Sequence, residues 1–384
     1  MKELILHLGF HKTATTSIQR TLLANEAKLR KQGILFPVFR LGRRKISNHS
    51  IPLYSLFCPN PENYHINQRW QVNATDANEH YEAQLNRALR SGYSKVVLSG
   101  EDISQLPEAA LGALRKKIEA CGFTIRTIAY IRSPSSNMTS NFQQRIRSGS
   151  ALSAMAYWPQ IKKINKVQSI FPETEFIAFK QACEHPAGPV GLFLQRIGVD
   201  NCASLKIVTA NESISNEATR LCSYLHEHAP LRVAGKLNPK RANRHTGLLH
   251  SIKGKRFQLT QHETAPFLEN LRLENEWLKE NFSEEFCDKG IFPGAGEAEW
   301  TQPQIDELAK IIPLAPPYFR TLVFNYFNES RLMPESDIVR IFDCHYTALN
   351  TQLPPELPTN FWQRRIAGLR FRLFRIRKAI LVRL

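Results

Sequence analysis

The chain has 384 residues, 42% of them hydrophobic and 22% charged, and a formal net charge of +17. This length and apolar content support one large α/β domain or two smaller ones. No stretch approaches the roughly 18 apolar residues that a transmembrane helix needs. The first apolar run extends only from Leu4 to Leu8, which predicts no signal peptide. The seven cysteines are scattered singly, which favours free thiols in a reducing cytoplasm over disulfides or zinc.

Apolar periodicity predicts strands and helices that alternate along the first half of the chain. Strands are expected at 3–8, 34–36, 95–98, 124–131 and 175–179, and helices at 16–31, 78–91, 107–120, 135–148 and 189–197. Residues 40–75 are polar and are predicted to form an irregular substrate loop. The βαβα alternation predicts an α/β fold with a mostly parallel sheet flanked by helices, and a helical second half with helices at 216–228 and 265–281.

The positive charge is concentrated in two segments. No acid occurs between Glu227 and Glu263 and none follows Glu356, and each segment holds eight lysines and arginines. Beyond the 1–330 domain, the 331–384 extension is predicted to end in a basic amphipathic helix at 361–384, with an apolar seam of Trp362, Ile366, Leu369, Leu373, Ile376 and Ile380. This helix is expected either to pack on the domain or to lie on an anionic membrane surface.

The stretch GFHKTATTSIQ, residues 9–19, joins the first strand to the first helix. Backbone N–H groups and the positive end of a helix meet at such a turn and favour an anion. Lys12 adds a full charge, and hydroxyl donors come from Thr13, Thr15, Thr16 and Ser17. The stretch departs from the GxxxxGK[ST] loop of nucleotide triphosphatases, because His11 directly precedes Lys12. The pattern predicts a phosphate site of another kind.

A second motif, YIRSPSSNMTSNFQQRIRSG, covers residues 130–149. The strand ends at Arg132, and Pro134 opens a helix, because proline is favoured in the first turn. Ser140 follows about two turns into that helix. The Arg132 guanidinium and the Ser140 hydroxyl are therefore expected to bind one further phosphate together.

Together the two motifs resemble the PAPS-dependent sulfotransferase family, whose donor is 3′-phosphoadenosine-5′-phosphosulfate. Residues 12–16, KTATT, match the family pattern K-[ST]-G-T-[TS] with one departure, Ala14 in place of glycine. Arg132 and Ser140 match the family's pair for the 3′-phosphate. LSGEDIS at 98–104 and NEWLKENF at 275–282 look like the bacterial branch, so the resemblance covers roughly residues 1–290. It implies a P-loop-like fold that binds PAPS without a metal.

The resemblance also implies the reaction, in which an acceptor oxygen or nitrogen attacks sulfur in line and adenosine 3′,5′-bisphosphate leaves. Lys12 is expected to stabilise the charge that develops on the leaving oxygen. A base should deprotonate the acceptor, and three candidates stay open: Glu101 after a strand, His49 in the predicted loop, and His11 beside the lysine. Arg241, in the basic segment, is expected to reach the 3′-phosphate or to hold an anionic acceptor.

The acceptor implied by the resemblance is a hydroxyl of a carbohydrate or glycolipid. The protein is expected in the cytoplasm, where its tail could bind the inner face of the cytoplasmic membrane. One alternative is a P-loop-like small-molecule kinase that uses ATP and magnesium, with Glu101 and Asp102 as metal ligands. The other is a non-catalytic polyanion-binding protein. No nucleic-acid partner is expected, because the chain shows no helix-turn-helix and no basic strand interleaved with aromatic residues.

Overall fold

A computed structural model describes residues 2–209, 213–234, 236–238, 241, 243–290, 296–330 and 332. The strands of the described chain are β1 (Lys2–Leu8), β2 (Ile34–Leu35), β3 (Phe39–Leu41), β4 (Arg44–Ile46), β5 (Lys95–Gly100), β6 (Phe123–Ile131), β7 (Glu175–Ala178), β8 (Arg232–Val233) and β9 (Lys236–Leu237). Five of them form one parallel sheet in the order β2-β5-β1-β6-β7. The predicted α/β fold is therefore confirmed. Strands β3–β4 and β8–β9 form two short antiparallel hairpins.

Helices flank the sheet and continue into the second half of the chain. They are α1 (Thr15–Ala24), α2 (Glu26–Lys31), α3 (Ser50–Phe57), α4 (His65–Trp70), α5 (Ala74–Leu89), α6 (Glu108–Glu119), α7 (Pro134–Arg147), α8 (Ile161–Ile170), α9 (Phe179–Glu184), α10 (Gly188–Arg196), α11 (Asn216–His228), α12 (Gln261–Thr264), α13 (Leu268–Asn281), α14 (Gln302–Ile311) and α15 (Pro317–Ser330). None of these described helices is long and apolar enough to cross a bilayer. The predicted tail helix at 361–384 lies outside the described residues.

The hydrophobic core follows the alternation of side chains along the strands. In β1, Leu4, Leu6 and Leu8 pack into the core on one face of the sheet, whereas Ile5 packs into the core on the other. A third cluster fills the helical second half, where α7 packs against α11 and α11 against α15. The sheet is thus covered by helices on both faces, as the buried Leu4–Leu8 stretch of its central strand requires.

Two predictions about local structure were wrong. Residues 40–75 are not an irregular loop, because they form the β3–β4 hairpin and helices α3 and α4. The single helix expected at 16–31 is broken into α1 and α2 at Asn25. The Asn25 side-chain amide donates to the carbonyls of Thr21, at 2.8 Å, and Lys206, at 2.9 Å, so it competes with continued helix hydrogen bonding.

Strand β1 lies at the point where the connections change direction. From β1 the chain moves to β2 and β5 on one side, and then crosses to β6 and β7 on the other. In open parallel sheets, ligands bind at the carboxyl ends of the strands beside such a switch point. The turn after β1 is therefore where the topology predicts the site.

Candidate active site

The turn between β1 and α1 is where the sequence predicts a phosphate site. Lys12 and Ala14 both adopt left-handed backbone conformations, with φ of 63° and 62°. No side chain caps α1, and its first turn contains no acid. The N–H groups of the first turn of α1 therefore have no side-chain cap, and together with the positive end of the helix dipole they could hold an external anion.

Gly9 holds this turn against the neighbouring strand. A Cβ at residue 9 would lie 2.4 Å from Thr15 Oγ1 and 3.1 Å from the Cα of Glu101, so only glycine fits. The Thr13 hydroxyl donates to the Phe10 carbonyl at 2.5 Å, and the Thr15 hydroxyl is buried in contact distance of Gly9. Two of the predicted hydroxyl ligands, those of Thr13 and Thr15, are therefore buried within the turn and contribute to its structure.

Thr16 is the predicted hydroxyl ligand that remains partly accessible. Its side chain is half-buried on the first turn of α1, whereas Ser17 is buried at the next position. Among the predicted hydroxyls of this turn, Thr16 is therefore the best placed to donate to an anion held by the N–H groups at the start of α1.

Ala14 is expected to strain the turn, because a Cβ in the left-handed region costs about 1–2 kcal/mol. Ala14→Gly should therefore raise the free energy of unfolding by about 0.5–1 kcal/mol, after the larger loss of backbone entropy in glycine is deducted. Denaturant unfolding measures this change. Ala83→Gly, at an exposed position of α5, should instead lower the free energy by about 1 kcal/mol. Destabilisation by Ala14→Gly would contradict the left-handed conformation.

Arg132, at the end of β6, connects the second predicted motif to the first. Its Nε donates to the Lys12 carbonyl at 2.7 Å, and its Nη1 donates to Ser136 Oγ at 2.9 Å. The guanidinium also lies over the Phe179 ring, 4.4 Å from the ring centre. Burial lowers the pKa of Arg132 to about 10. The two motifs, 120 residues apart in sequence, thus meet directly in space.

A cleft of about 350 Å³ opens beside Arg132. We call it the Arg132 cleft; its lining residues are Arg132, Ser135, Ser136, Thr139, Ser140, Gln143, Ser213, Arg256, Phe257, Gln258, Leu259 and Thr264. The predicted pair of Arg132 and Ser140 therefore lines one cavity. Two arginines, several hydroxyls and the buried Phe257 ring suit a phosphorylated nucleoside, and the volume lies in the usual range for ligand pockets.

A second cavity, of about 510 Å³, lies along another face of α7. We call it the Trp158 cavity; its lining residues are Phe10, His11, Gln105, Asn137, Asn141, Phe142, Gln144, Arg145, Ala156, Tyr157, Trp158, Pro159, Gln160 and Lys163. Helix α7 supplies residues at i, i+4 and i+7 to each cavity: 136, 140 and 143 to the Arg132 cleft, and 137, 141 and 144 to the Trp158 cavity. One helix therefore carries two polar faces.

Lys12 lines neither cavity, but it contacts a lining residue of each. Its carbonyl accepts from Arg132 of the first cavity, and its Nζ lies 3.4 Å from Gln144 Oε1 of the second. Burial lowers the pKa of the Lys12 ammonium, and the nearby Arg147 and Arg132 lower it further, while Glu101 opposes them. Three cations thus face one carboxylate, so a bound anion would relieve their mutual repulsion.

Glu101 and His11 form a pair beside Lys12. His11 Nδ1 lies 2.7 Å from Glu101 Oε1, and His11 Nε2 lies 3.0 Å from the amide nitrogen of Gln105. Burial would raise the pKa of Glu101, but the hydrogen bond and charge of His11 and a backbone bond from Lys12 outweigh it and hold the pKa below 4.5. Of the pair, His11 lines the Trp158 cavity, so it is the member that can meet an acceptor.

His49 does not suit the role of base that was predicted for it. Its side chain is buried; Nε2 donates to the Pro37 carbonyl at 2.6 Å, and Nδ1 accepts from the Ser99 N–H at 2.9 Å. Burial lowers its pKa to about 4. With both ring nitrogens bonded to the backbone, His49 fixes the start of α3 against β5 and has no nitrogen left for an acceptor.

Arg241 also lies away from the predicted contact. Its guanidinium is buried and donates to the Ala229 carbonyl and to His226 Nδ1. It does not line the Arg132 cleft; the basic segment reaches that cleft through Arg256 instead. The sequence did not single out Arg256, because eight cations of one segment look alike until the fold places them.

Comparisons with known proteins add no assignment. The chain matches no known protein-family model, and no curated protein matches it. One solved structure, from work on the PezAT chromosomal toxin–antitoxin system of Streptococcus pneumoniae, matches at 10% identity over 73% of this chain and 87% of that chain. Its TM-score of 0.22 is too low to support an argument about fold or function.

Proposed function

We propose that the protein is a sulfotransferase that moves the sulfuryl group of PAPS to a hydroxyl of a carbohydrate or glycolipid acceptor and releases adenosine 3′,5′-bisphosphate. One observation carries this proposal: Lys12 contacts a lining residue of each of two cavities, one whose arginines and hydroxyls suit a phosphorylated nucleoside and one lined by aromatic and amide groups. A transferase needs such a junction, because its two substrates must meet at the group that is transferred.

The Arg132 cleft is the proposed donor side. The turn of residues 9–14 and the start of α1 would hold the 5′-phosphosulfate through backbone N–H groups, Lys12 and Thr16. Arg132 and Ser140 would hold the 3′-phosphate, with Arg256 as a second cation on the same cleft. The fit is supported by Arg132, which has no carboxylate partner among the described residues.

The Trp158 cavity is the proposed acceptor side. The acceptor oxygen would form a bond to sulfur while the bond from sulfur to the 5′-phosphate oxygen breaks. His11 would take the acceptor proton through Nε2, because Glu101 accepts a hydrogen bond from His11 Nδ1 and so orients the ring. Lys12 would stabilise the negative charge on the departing phosphate oxygen.

The kinase alternative requires Glu101 and Asp102 to face a bound magnesium ion. In the structure Glu101 is paired with His11, and Asp102 Oδ2 accepts a hydrogen bond from the Tyr64 hydroxyl at 2.8 Å. Asp102 lines a separate cavity with Tyr54 and Tyr64 rather than the Arg132 cleft. These contacts favour the sulfotransferase proposal over the kinase.

Calorimetric titration with adenosine 3′,5′-bisphosphate tests the donor side. We expect metal-independent binding, which Arg132→Ala should weaken about 10- to 100-fold, because a charged hydrogen bond contributes about 1.5–3 kcal/mol. Arg126→Ala is the matched control: it removes an arginine from the same strand, where Arg126 pairs with Glu175 at 2.8 Å. This control should bind the bisphosphate like the wild type.

The alternatives predict different titrations. Preference for ATP with magnesium over the bisphosphate would favour the kinase. Binding that lacks nucleotide preference and falls steeply with salt would favour a polyanion-binding protein. Either outcome, or an Arg132→Ala variant that binds as tightly as the wild type, would refute the proposed donor site.

A further inference from the structure

The Trp158 cavity has features that the proposed reaction alone does not explain. Trp158 is 74% exposed, the largest exposed fraction among the described large hydrophobic side chains. Its neighbours hold the backbone firmly: the Tyr157 hydroxyl donates to Glu274, and the Gln160 N–H donates to Glu274 Oε1 at 2.9 Å. The structure thus presents an indole on a fixed segment at the edge of a cavity, which suits a binding surface.

Lys163 lines the same cavity without a partner of its own. The ammonium lies over the Phe10 ring, 5.1 Å from the ring centre, and it makes no ion pair or hydrogen bond within the described ranges of the chain. Burial lowers the pKa of Lys163 to about 8, although Glu101 and Asp102 favour its charge from a distance. A half-buried cation of this kind is stabilised when an anion binds next to it.

The remaining lining groups match a polar ring with hydroxyl substituents. Arg145 adds a second cation, whose one side-chain hydrogen bond within the described residues is to the Ala156 carbonyl at 3.3 Å, and Asn141 and Gln144 add amides that both donate and accept. None of the described lining residues of the cavity is an aspartate or glutamate. The cavity therefore combines an aromatic surface, amides and two cations.

We infer that the Trp158 cavity takes an acceptor sugar with an anionic substituent, a carboxylate or a sulfate, which Lys163 and Arg145 bind while the sugar ring packs on Trp158. This inference rests on the proposed function, which makes the cavity beside Lys12 the acceptor side. The C–H face of a sugar ring is apolar and fits the indole, while its hydroxyls fit the amides.

Three methyl glycosides test the inference on the full chain: a neutral glucoside, the corresponding glucuronide, and the glucoside 6-sulfate. Their affinities are measured by ligand-observed NMR, with and without saturating adenosine 3′,5′-bisphosphate. We expect at least one anionic glycoside to bind about tenfold or more tightly than the neutral one, because a charged hydrogen bond contributes about 1.5–3 kcal/mol. Preference for the glucuronide or for the sulfate identifies which anion the cavity takes.

Two variants separate binding by Lys163 from general charge effects. Lys163→Gln should markedly reduce the preference for the anionic glycoside, to which Arg145 still contributes, whereas Lys162→Gln, which removes an exposed charge from the neighbouring position of α8, should preserve it. Equal binding of all three glycosides, binding of none, or an unchanged preference in Lys163→Gln would overturn the inference. Bisphosphate binding is measured separately, so a failed donor site and a wrong acceptor class give distinct results.

Discussion

Lys12→Ala is expected to lower kcat by about 100- to 1,000-fold, the cost of removing one group that stabilises developing charge. Its ammonium lies 3.4 Å from Gln144 Oε1, and in the proposed reaction it stabilises the charge that develops on the leaving oxygen. Its carbonyl, which accepts from Arg132, is retained in the variant. Alanine also keeps a Cβ at a residue with φ of 63°, so the backbone cost does not change.

The affinity for adenosine 3′,5′-bisphosphate should fall less than about tenfold in Lys12→Ala, since the lysine contact strengthens in the transition state. Formation of the bisphosphate from PAPS in the presence of an accepting glycoside gives kcat, and calorimetry gives the dissociation constant. Lys162→Ala serves as the control for loss of one exposed lysine. Equal losses in kcat and affinity would mean that Lys12 only binds the donor.

The regular elements of the sheet half were predictable because their apolar spacing is periodic. The expected strand at 124–131 and helix at 135–148 correspond to β6 (Phe123–Ile131) and α7 (Pro134–Arg147). Helix α3 was missed because it has no polar face: Ser50, Ile51, Pro52, Leu53 and Ser55 are all buried. A short helix that is buried around most of its surface lacks the amphipathic period on which such a prediction depends.

The two segments in which the sequence placed candidate site residues were recognisable because one local motif supplies both a turn and a charge. The structure brings the turn after β1 and the end of β6 together through the hydrogen bond from Arg132 to the Lys12 carbonyl. His49 was misjudged because its partners, Pro37 and Ser99, are brought to it only by tertiary packing. Lys163 carries no local signal either, since a lysine on an amphipathic helix is ordinarily solvated.

The basic segment at 228–262 shows why net charge alone does not define a partner. Its described cations serve different purposes: Lys255 pairs with Glu299 at 2.8 Å, Arg241 is buried against His226, and Arg256 lines the Arg132 cleft. Arg232 is exposed on a short hairpin. The described cations of this segment therefore have different surroundings, and their summed charge does not by itself identify a partner.

His11→Ala should lower kcat by about 100- to 10,000-fold, the usual contribution of a positioned base. An ionised Glu101 can only accept, so a neutral His11 would carry its proton on Nδ1 and keep on Nε2 a lone pair that can accept from Gln105. An acceptor hydroxyl that displaces Gln105 would meet that lone pair. Bisphosphate affinity should stay within about twofold, because the ring lines the Trp158 cavity and not the Arg132 cleft.

Glu101→Gln separates orientation of the ring from proton transfer. It should lower kcat less than His11→Ala does, because the imidazole remains and loses only its anionic partner.

The hydrogen bond and charge of His11 hold the pKa of Glu101 below 4.5 despite burial. The ionised carboxylate therefore stabilises the wild type above about pH 4.5, and this contribution disappears as the pH falls through the folded pKa. The unfolding free energies of the wild type and Glu101→Gln should therefore differ near neutral pH and converge in acid. If Glu101→Gln loses more activity than His11→Ala, the carboxylate itself is the base, and the histidine positions it.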